Sequence, residues 1–303
     1  MDNAIKYHLK KEIIGRERLT GGYTFQTWLL TLSDNQKVVF RTQRDFDTGG
    51  GRRIVIADVL EREKFFYDEV NKNIGRICPE VLVVDSTHEH LDTSYCIMEY
   101  IEGTPLNLCF KDFDVQTQND IYYIIGGIAA KINSLEIDSN HPYVSDRHSW
   151  EEYIADRLCE RLKPFIGNNE IITQSEVNKI TNSLRQKKAA KTLSFVHIDM
   201  RHVNMIYNDG NIYLLDAENC EFGDPLFDLA TIDVAGEMSE FLIKGYNDVS
   251  GAKINLDDEL YLFYKMERLA LVLYVFMDEI KNNPKFTEYY LQRFLETKNK
   301  LLG

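Results

Sequence analysis

The chain has 303 residues, 44% of them hydrophobic, and a formal net charge of −13. This length is enough for one two-lobed unit or two modest domains with a sizeable core. The charge argues against general nucleic-acid binding, because phosphate contacts need clustered Lys and Arg, and it fits a cationic ligand.

Three further features concern the setting of the protein. The sequence has no run of about 18 apolar residues, and it opens on the polar segment Met1-Asp2-Asn3 rather than on a signal peptide. Its five cysteines form no C-x-x-C pair, which argues against a disulfide framework or a zinc site. We therefore expect a cytoplasmic protein with no membrane partner.

The first third of the chain reads mainly as strands. Leu19 to Trp28 alternates around Gly21 and Gly22, which indicates either a plain hairpin or a turn whose amides approach phosphate. A strand is predicted over Gln36 to Arg41, a helix over Asp58 to Asn71, and a buried strand from Ser94 that ends before Gly103. The glycine-rich segment from Thr48 to Arg53 lacks the lysine-serine or lysine-threonine ending of a P-loop and is predicted to be a flexible connection.

The remainder is predicted to be mostly helical. Asn208-Asp209-Gly210 supplies the positive φ angles that a hairpin turn needs, so two short strands are predicted on either side of it. The predicted helices are Gln116 to Leu135, Trp150 to Phe165, Ser175 to Ala189, Phe227 to Tyr246, Asp257 to Lys281 and Phe286 to Leu302.

The most specific signal surrounds that hairpin. His197-Ile198-Asp199 is followed after four residues by Asn204, and Asp216 closes the apolar run that follows. Asp199 can accept a hydrogen bond from an incoming hydroxyl group, while Asn204 and Asp216 offer the hard oxygen ligands that Mg²⁺ prefers. A base, an amide ligand and a carboxylate ligand are the minimum set for phosphoryl transfer from a nucleotide.

The stretch from Phe195 to Ala230 resembles the aminoglycoside phosphotransferase and choline kinase family. That family has the pattern H-x-D-x(4)-N, an aspartate followed two residues later by glutamate, and G-D-P-x-x-D-L-A. Here the last two elements are Asp216-Ala217-Glu218 and Gly223 to Ala230. The resemblance implies an α+β, bilobal protein-kinase-like fold. Residues 1–101 would form an N-terminal nucleotide-binding lobe with a five-stranded antiparallel sheet and one major helix. Residues 102–303 would form a mostly helical lobe with the catalytic loop and the acceptor site.

The resemblance also implies nucleotide-binding residues. Gly21 and Gly22 would contact phosphate, Thr24 stands where relatives have serine, and Phe25 stands where they have asparagine. Arg41 takes the position of the usual lysine, with Lys37 as the fallback. The acidic partner of that cation is expected at Glu63, rather than at Glu61 or Glu69. Met98, Glu99 and Ile101 are predicted to form the hinge that holds the nucleotide base.

In the family, acids on helical segments grip the acceptor. The candidates here are Asp156, Glu151, Asp233, Glu237 and Glu267, with Asp233 and Glu237 ranked first because they lie one helical turn apart. From Asp216 to Gly303 there are 17 acidic and 9 basic residues. Acidic helices are most often solvated faces, but this excess favours a cationic acceptor.

The sequence therefore predicts a Mg²⁺-dependent small-molecule kinase that uses ATP or GTP and acts on a cationic acceptor, most simply an aminoglycoside-type antibiotic. A choline, ethanolamine or other amino-alcohol kinase is the alternative enzyme, and the aromatic residues of the C-terminal helices, such as Tyr261 and Tyr264, would then line its pocket or else form core. A nucleotide-binding module without turnover is the alternative from another class. Asp224 and Asp228 are predicted to cap and anchor, with Asp228 bracing the catalytic loop through Arg201 or His197.

Overall fold

The computed structural model describes residues 1–19, 25–43, 56–135, 149–167, 171–187, 194–256, 258–277 and 283–303. The strands are β1 (Ile13–Leu19), β2 (Phe25–Leu32), β3 (Lys37–Gln43), β4 (Val81–Asp85), β5 (Tyr95–Glu99), β6 (Thr104–Pro105), β7 (Ser194–Val196), β8 (Met205–Asn208), β9 (Asn211–Leu214) and β10 (Glu221–Gly223). The helices are α1 (Asp2–Leu9), α2 (Ile56–Asn73), α3 (Leu106–Cys109), α4 (Val115–Asn133), α5 (Trp150–Leu162), α6 (Gln174–Arg185), α7 (Leu226–Val234), α8 (Glu240–Ser250), α9 (Glu259–Met277) and α10 (Pro284–Leu302).

The chain divides into two compact units, each built from two segments. One unit contains Met1–Phe113 and His202–Cys220, and the other contains Asp114–Arg201 and Glu221–Gly303. We call them the sheet unit and the helical unit. The predicted boundary between residues 101 and 102 differs from this division, because β6 pairs with β8 and so joins the β8–β9 hairpin to the sheet unit. The assignment of nucleotide binding to residues 1–101, and of the catalytic loop and acceptor site to residues 102–303, stays a prediction.

The sheet unit contains the predicted five-stranded antiparallel sheet, in the order β1-β2-β3-β5-β4. Alternate residues of its strands, including Leu30, Leu32, Val38 and Phe40, are buried in one core with Ala4 and Ile5 of α1. The sequence analysis did not predict α1. His8 anchors this helix to the sheet, because its Nε2 lies 3.0 Å from both Asp85 Oδ2 and the Tyr95 hydroxyl.

The helix and the hairpin of the sheet unit formed where they were predicted. Helix α2 extends two residues beyond each end of the predicted range. In the hairpin, Asp209 and Gly210 adopt φ angles of 46° and 84° between β8 and β9, as the turn prediction requires.

The helical unit contains α4 to α10, with the short antiparallel pair of β7 and β10. Helices α4 and α8 lie unusually close at two glycines. A Cβ at Gly126 would come within 2.0 Å of the Leu242 carbonyl oxygen, and one at Gly245 within 2.1 Å of the Tyr123 carbonyl oxygen. A larger residue at either position would therefore push the two helices apart.

One predicted helix of this unit was wrong. The range Phe227 to Tyr246 is two helices, because α7 ends at Val234 and α8 begins at Glu240. Gly236 between them has a φ of 79°. Ser239 caps α8, since its side chain accepts a hydrogen bond from the Phe241 amide.

The five cysteines are free thiols. Among the described residues, we find no helix with the length and apolar character needed to cross a bilayer.

Candidate active site

Arg41 and Glu63 form a buried ion pair in the sheet unit. Arg41 Nη1, on β3, donates to both carboxylate oxygens of Glu63, on α2, at 2.8 and 2.7 Å. Both side chains are almost fully buried. Although burial opposes its charge, Glu63 and Asp216 hold the pKa of Arg41 well above its usual value. The structure thus brings together the cation and the acid that the sequence analysis paired.

Two aromatic residues support this pair, and sequence reasoning missed both. The Tyr67 hydroxyl donates to Glu63 Oε1 at 2.9 Å and accepts a hydrogen bond from the Ala217 amide at 3.4 Å. The Arg41 guanidinium lies 4.3 Å from the centre of the Phe25 ring. Tyr67 could have been found, since it follows Glu63 by four residues and so shares its helix face. Phe25 was read only as the loss of a polar residue.

Asp216 lies two residues after the end of β9 and contacts the same arginine. Its Oδ1 accepts a hydrogen bond from Arg41 Nη2 at 3.0 Å, and its side chain is 38% exposed. Its φ is 61°, in the left-handed region that non-glycine residues seldom adopt, and such positions cluster at functional sites. Glu218 Oε2 lies 3.7 Å from Arg41 Nη2. Asp216 is therefore held beside a buried cation in a constrained backbone.

Asn204 is tied to the same strand end. Its carbonyl oxygen accepts a hydrogen bond from the Leu215 amide at 2.8 Å, next to Asp216. Both Asn204 and Asp216 line one cleft of the sheet unit, so a side-chain amide and a carboxylate belong to the same lining. These are the donors that suit Mg²⁺, and the residues present fit that ion. The described lining is Leu19, Phe25, Thr27, Val39, Arg41, Tyr67, Pro79, Met98, Glu99, Val203, Asn204, Leu215, Asp216 and Glu218.

Two of the three predicted hinge residues line this cleft. Met98 is buried near the end of β5, and Glu99 is the last residue of that strand. The Glu99 amide donates to the Glu80 carbonyl oxygen at 2.8 Å, and its side chain bonds to Arg76. Ile101 is partly exposed beyond the strand and is not among the described lining residues.

The remaining nucleotide-binding candidates lie either outside the described residues or on the surface. Gly21, Gly22 and Thr24 lie outside the described residues, as does the segment 48–53. Lys37, the fallback cation, lies on the surface, where its ammonium group is 3.1 Å from Glu102. Arg41 is therefore the cation that reaches the cleft.

In the helical unit, Asp228 holds the loop that carries Asp199. Its fully buried carboxylate accepts hydrogen bonds from the amides of His197 at 3.0 Å and Ile198 at 2.6 Å, and from the Asn133 side chain at 3.1 Å. Ile198 has a φ of 68°, which is strained for a β-branched residue. Asp228 thus braces the loop by accepting hydrogen bonds from the backbone amides of His197 and Ile198. Arg201 instead binds Asp199.

Asp199 itself is bound by arginine. Arg201 Nε lies 2.6 Å from Oδ1 and Arg201 Nη2 lies 2.7 Å from Oδ2, while Arg268 Nη2 is 3.8 Å from Oδ1. Burial opposes ionisation of Asp199, but the bonds and charges of these arginines lower its pKa. The carboxylate is ionised and both of its oxygens are engaged.

The acids predicted to bind the acceptor differ in their burial and in their ion pairs. Glu267 is fully buried, with its Oε1 2.6 Å from Arg157 Nε and also in contact with Arg161, and its contact with an acceptor stays a prediction. Asp233 is neutralised by Lys265 at 2.6 Å and Arg293 at 3.0 Å. Asp156 is exposed and paired with Arg185 at 2.5 Å. The partly exposed Glu237 and Glu151 remain predictions.

The aromatic residues of α9 are core rather than pocket at three positions. Tyr261, Phe263 and Tyr264 are buried. The Tyr264 hydroxyl donates to Asp224 Oδ2 at 3.2 Å, and Asp224 Oδ1 accepts from the Leu226 amide at 2.9 Å. Asp224 thus anchors the start of α7, as predicted.

Comparisons with known proteins concern the fold and the family of the chain. The family model described as the phosphotransferase enzyme family matches residues 15–238. A Ralstonia eutropha JMP134 structure, provisionally described as an aminoglycoside phosphotransferase, has a TM-score of 0.69 and 14% identity and covers 99% of this chain and 97% of its own. The GDP and kanamycin complex of APH(2″)-IIIa has a TM-score of 0.68 and 11% identity, covering 98% and 97%. A protein provisionally described as a fructosamine-3-kinase, from Thermobifida fusca YX-ER1, has a TM-score of 0.66 and 13% identity, covering 100% and 98%. No curated protein matches the chain.

The fold is therefore the protein-kinase-like fold that the sequence predicted. The chain belongs to the phosphotransferase enzyme family. The predicted enzyme class, a phosphotransferase with an alcohol group as acceptor, is confirmed at that level.

Proposed function

We propose that the protein is a Mg²⁺-dependent small-molecule kinase that transfers the γ-phosphate of ATP or GTP to a hydroxyl group. The observation that carries the proposal is the position of the Arg41–Glu63 pair, which contacts Asp216 in the same cleft that Asn204 lines. A fixed cation beside two hard oxygen ligands suits a nucleotide with its metal ion.

Each residue has a role in this proposal. Arg41 binds the α- and β-phosphates, and Met98, Glu99 and Ile101 hold the base, while Gly21, Gly22 and Thr24 cover the phosphates. Asn204 and Asp216 hold Mg²⁺, which supplies charge neutralisation of the phosphates when bound. Asp199 accepts the proton of the attacking hydroxyl. Asp228 positions Asp199 through the loop, and Tyr67 positions Glu63.

The acceptor is the open part of the proposal. Structures of similar fold include complexes with kanamycin, gentamicin and streptomycin, which makes an aminoglycoside one candidate and antibiotic resistance one context. In this chain, however, Asp156, Asp233 and Glu267 already have basic partners. Recognition of an amino sugar or an amino alcohol would therefore involve further residues, and Glu237 stays a predicted contact.

The proposal is tested in two measurements. Binding of ATP and GTP is measured with and without Mg²⁺, and release of the nucleoside diphosphate is then measured against a panel of hydroxyl compounds. We expect Mg²⁺-dependent nucleotide binding and turnover of at least one compound. Failure to bind either nucleotide would refute the proposal. Binding without any turnover would instead favour the nucleotide-binding module that lacks catalysis.

A further inference from the structure

Four arginines surround two acids in the helical unit. Arg157 and Arg161 contact Glu267 Oε1, Arg201 binds both oxygens of Asp199, and Arg268 Nη2 lies 3.8 Å from Asp199 Oδ1. The described contacts add one more acid to this group. The Tyr153 hydroxyl accepts from Arg157 Nη1 at 3.2 Å and lies 3.3 Å from Glu221 Oε1. Among the contacts named here, four guanidinium groups meet three carboxylate groups.

Two observations concern the guanidinium groups of Arg161 and Arg268. Burial, together with repulsion from Arg157 and Arg268, lowers the pKa of Arg161 to about 10 despite the attraction of Glu267. Arg268 is only 8% exposed, and its Nε has no hydrogen-bond partner among the described residues. A buried guanidinium donor without a partner is costly, and an anionic acceptor atom removes that cost.

The state of Asp199 points the same way. A general base must accept a hydrogen bond from the hydroxyl that it activates. Arg201 donates to both carboxylate oxygens, which leaves fewer lone pairs for a hydroxyl group. Burial opposes ionisation of Asp199, but Arg201 and Arg268 lower its pKa. Arg201 has a side chain that is 40% exposed, against 13% for Asp199. A ligand from solvent therefore reaches Arg201 more readily than the base it covers.

We propose that the acceptor carries an anionic group, a carboxylate or a phosphate ester, that binds Arg201 and Arg268 and so releases Asp199 to accept the proton of a hydroxyl on the same molecule. A carboxylate or phosphate can replace Asp199 as the bidentate partner of Arg201. This inference rests on the proposed role of Asp199 as the base.

The transfer step then balances. The acceptor oxygen forms a bond to the γ-phosphorus as its proton passes to Asp199. The bond between that phosphorus and the oxygen that bridges to the β-phosphate breaks, and its electron pair leaves on the nucleoside diphosphate. The anionic group of the acceptor stays on Arg201 and Arg268 and is not consumed.

The first test compares acceptors that share a hydroxyl and differ in charge. Release of nucleoside diphosphate is measured with the hydroxy acids glycerate and 4-hydroxybutyrate, with glycerol 3-phosphate, with neutral glycerol, and with the cations ethanolamine, choline and kanamycin. We expect kcat/KM at least tenfold higher for an anionic compound than for any neutral or cationic one. Preferential turnover of a cation would overturn the inference and leave the kinase assignment intact. Loss of nucleotide binding would refute the kinase assignment instead.

A second test needs no knowledge of the true acceptor. Binding of inorganic phosphate and malonate is measured by calorimetry while a non-hydrolysable ATP analogue and Mg²⁺ fill the nucleotide site. We expect Arg201→Gln and Arg268→Gln to weaken binding at least tenfold, and Arg185→Gln, which removes an exposed arginine paired with Asp156 in the same unit, to leave it unchanged. Absence of binding to the unmodified protein, or equal binding in the Arg201 variant, would also overturn the inference.

The Arg201 variant separates release of the base from a purely structural role. Arg201→Gln frees Asp199, so nucleotide hydrolysis by water should rise severalfold while kcat/KM for an anionic acceptor falls. If Arg201 only supports the loop, both rates fall together. Because its side chain is partly exposed, this variant folds more readily than one at Arg268, and it keeps the test decisive if Arg268→Gln is unstable.

Discussion

Replacing Asp228 with asparagine tests how firmly the loop before Asp199 is held. The carboxylate accepts three hydrogen bonds, from the amides of His197 and Ile198 and from Asn133. Asparagine keeps one acceptor oxygen and turns an NH₂ donor toward these donors. The loss of at least one charge-assisted bond costs about 1.5–3 kcal/mol, and the strained Ile198, whose conformation costs about 1–3 kcal/mol, loses its shortest contact.

An opposing effect limits this cost. Burial raises the pKa of Asp228, which means that the folded state penalises the charged carboxylate, and asparagine escapes that penalty. We therefore expect Asp228→Asn to lower the free energy of unfolding by about 2 kcal/mol, near the lower end of these ranges. The displaced loop should lower kcat about tenfold or more, because small misplacements of a catalytic group are costly.

The assay combines urea unfolding with turnover measured well below the unfolding transition. Asp224→Asn is the matched control, since Asp224 is equally buried but accepts hydrogen bonds from the Leu226 amide and Tyr264 at the start of α7. It should lose stability and keep most of its kcat. Unchanged stability in Asp228→Asn, or an equal loss of kcat in the control, would refute the bracing role.

Three more predictions concern polar and charged side chains. Asp199→Asn should lower transfer by ~10² to 10⁴ while nucleotide binding, measured by calorimetry, stays within about twofold; turnover at the unmodified rate would exclude Asp199 as the base. Asp216→Ala and Asn204→Ala should both raise the Mg²⁺ concentration needed for half-maximal rate, and excess Mg²⁺ should rescue only Asn204→Ala. An identical Mg²⁺ dependence in the unmodified protein and both variants would count against the metal site. For Glu267, burial opposes ionisation, but Arg157 and the neighbouring arginines lower its pKa from 4.5 to about 2, so the stability it provides is complete above pH 4.5 and is lost as the pH falls toward 2. That loss is about 3 kcal/mol in urea unfolding, and Glu267→Gln should be less stable at pH 7 and lack this decline.

The local parts of the fold followed from the sequence because short stretches determine them. The hairpin turn at Asp209 and Gly210 depends on two residues that tolerate a positive φ. Helix α2 follows from its apolar spacing. The break between α7 and α8 is also local, but its capping serine, Ser239, was overlooked within a run of helix-forming residues. Helix α1 was missed because its apolar residues gain burial only against the distant strands of the sheet.

The candidate site followed from the sequence only where a motif fixes the spacing. The order of Asp199, Asn204 and Asp216 was readable directly, and Glu63 was expected from the family resemblance. Tyr67 and Phe25 gain their roles from contacts with Arg41 and Glu63, which pair residues of different elements. The sequence shows which residues carry charge, but it does not show which distant residue neutralises each of them.

The acceptor acids illustrate this limit most clearly. A net charge of −13 and an acidic excess after Asp216 favoured a cationic acceptor, yet exposed charges are screened over ~8 to 10 Å at physiological ionic strength. Asp199 and Arg268 are largely buried and lie 3.8 Å apart, so their interaction is screened far less than one between exposed charges. Arg201 and Arg268 contact Asp199 directly, while Glu267 is enclosed by arginines that stand more than 100 residues away in the chain. The sign of the charge that the acceptor meets beside Asp199 is therefore set by these few arginines rather than by the composition of the chain.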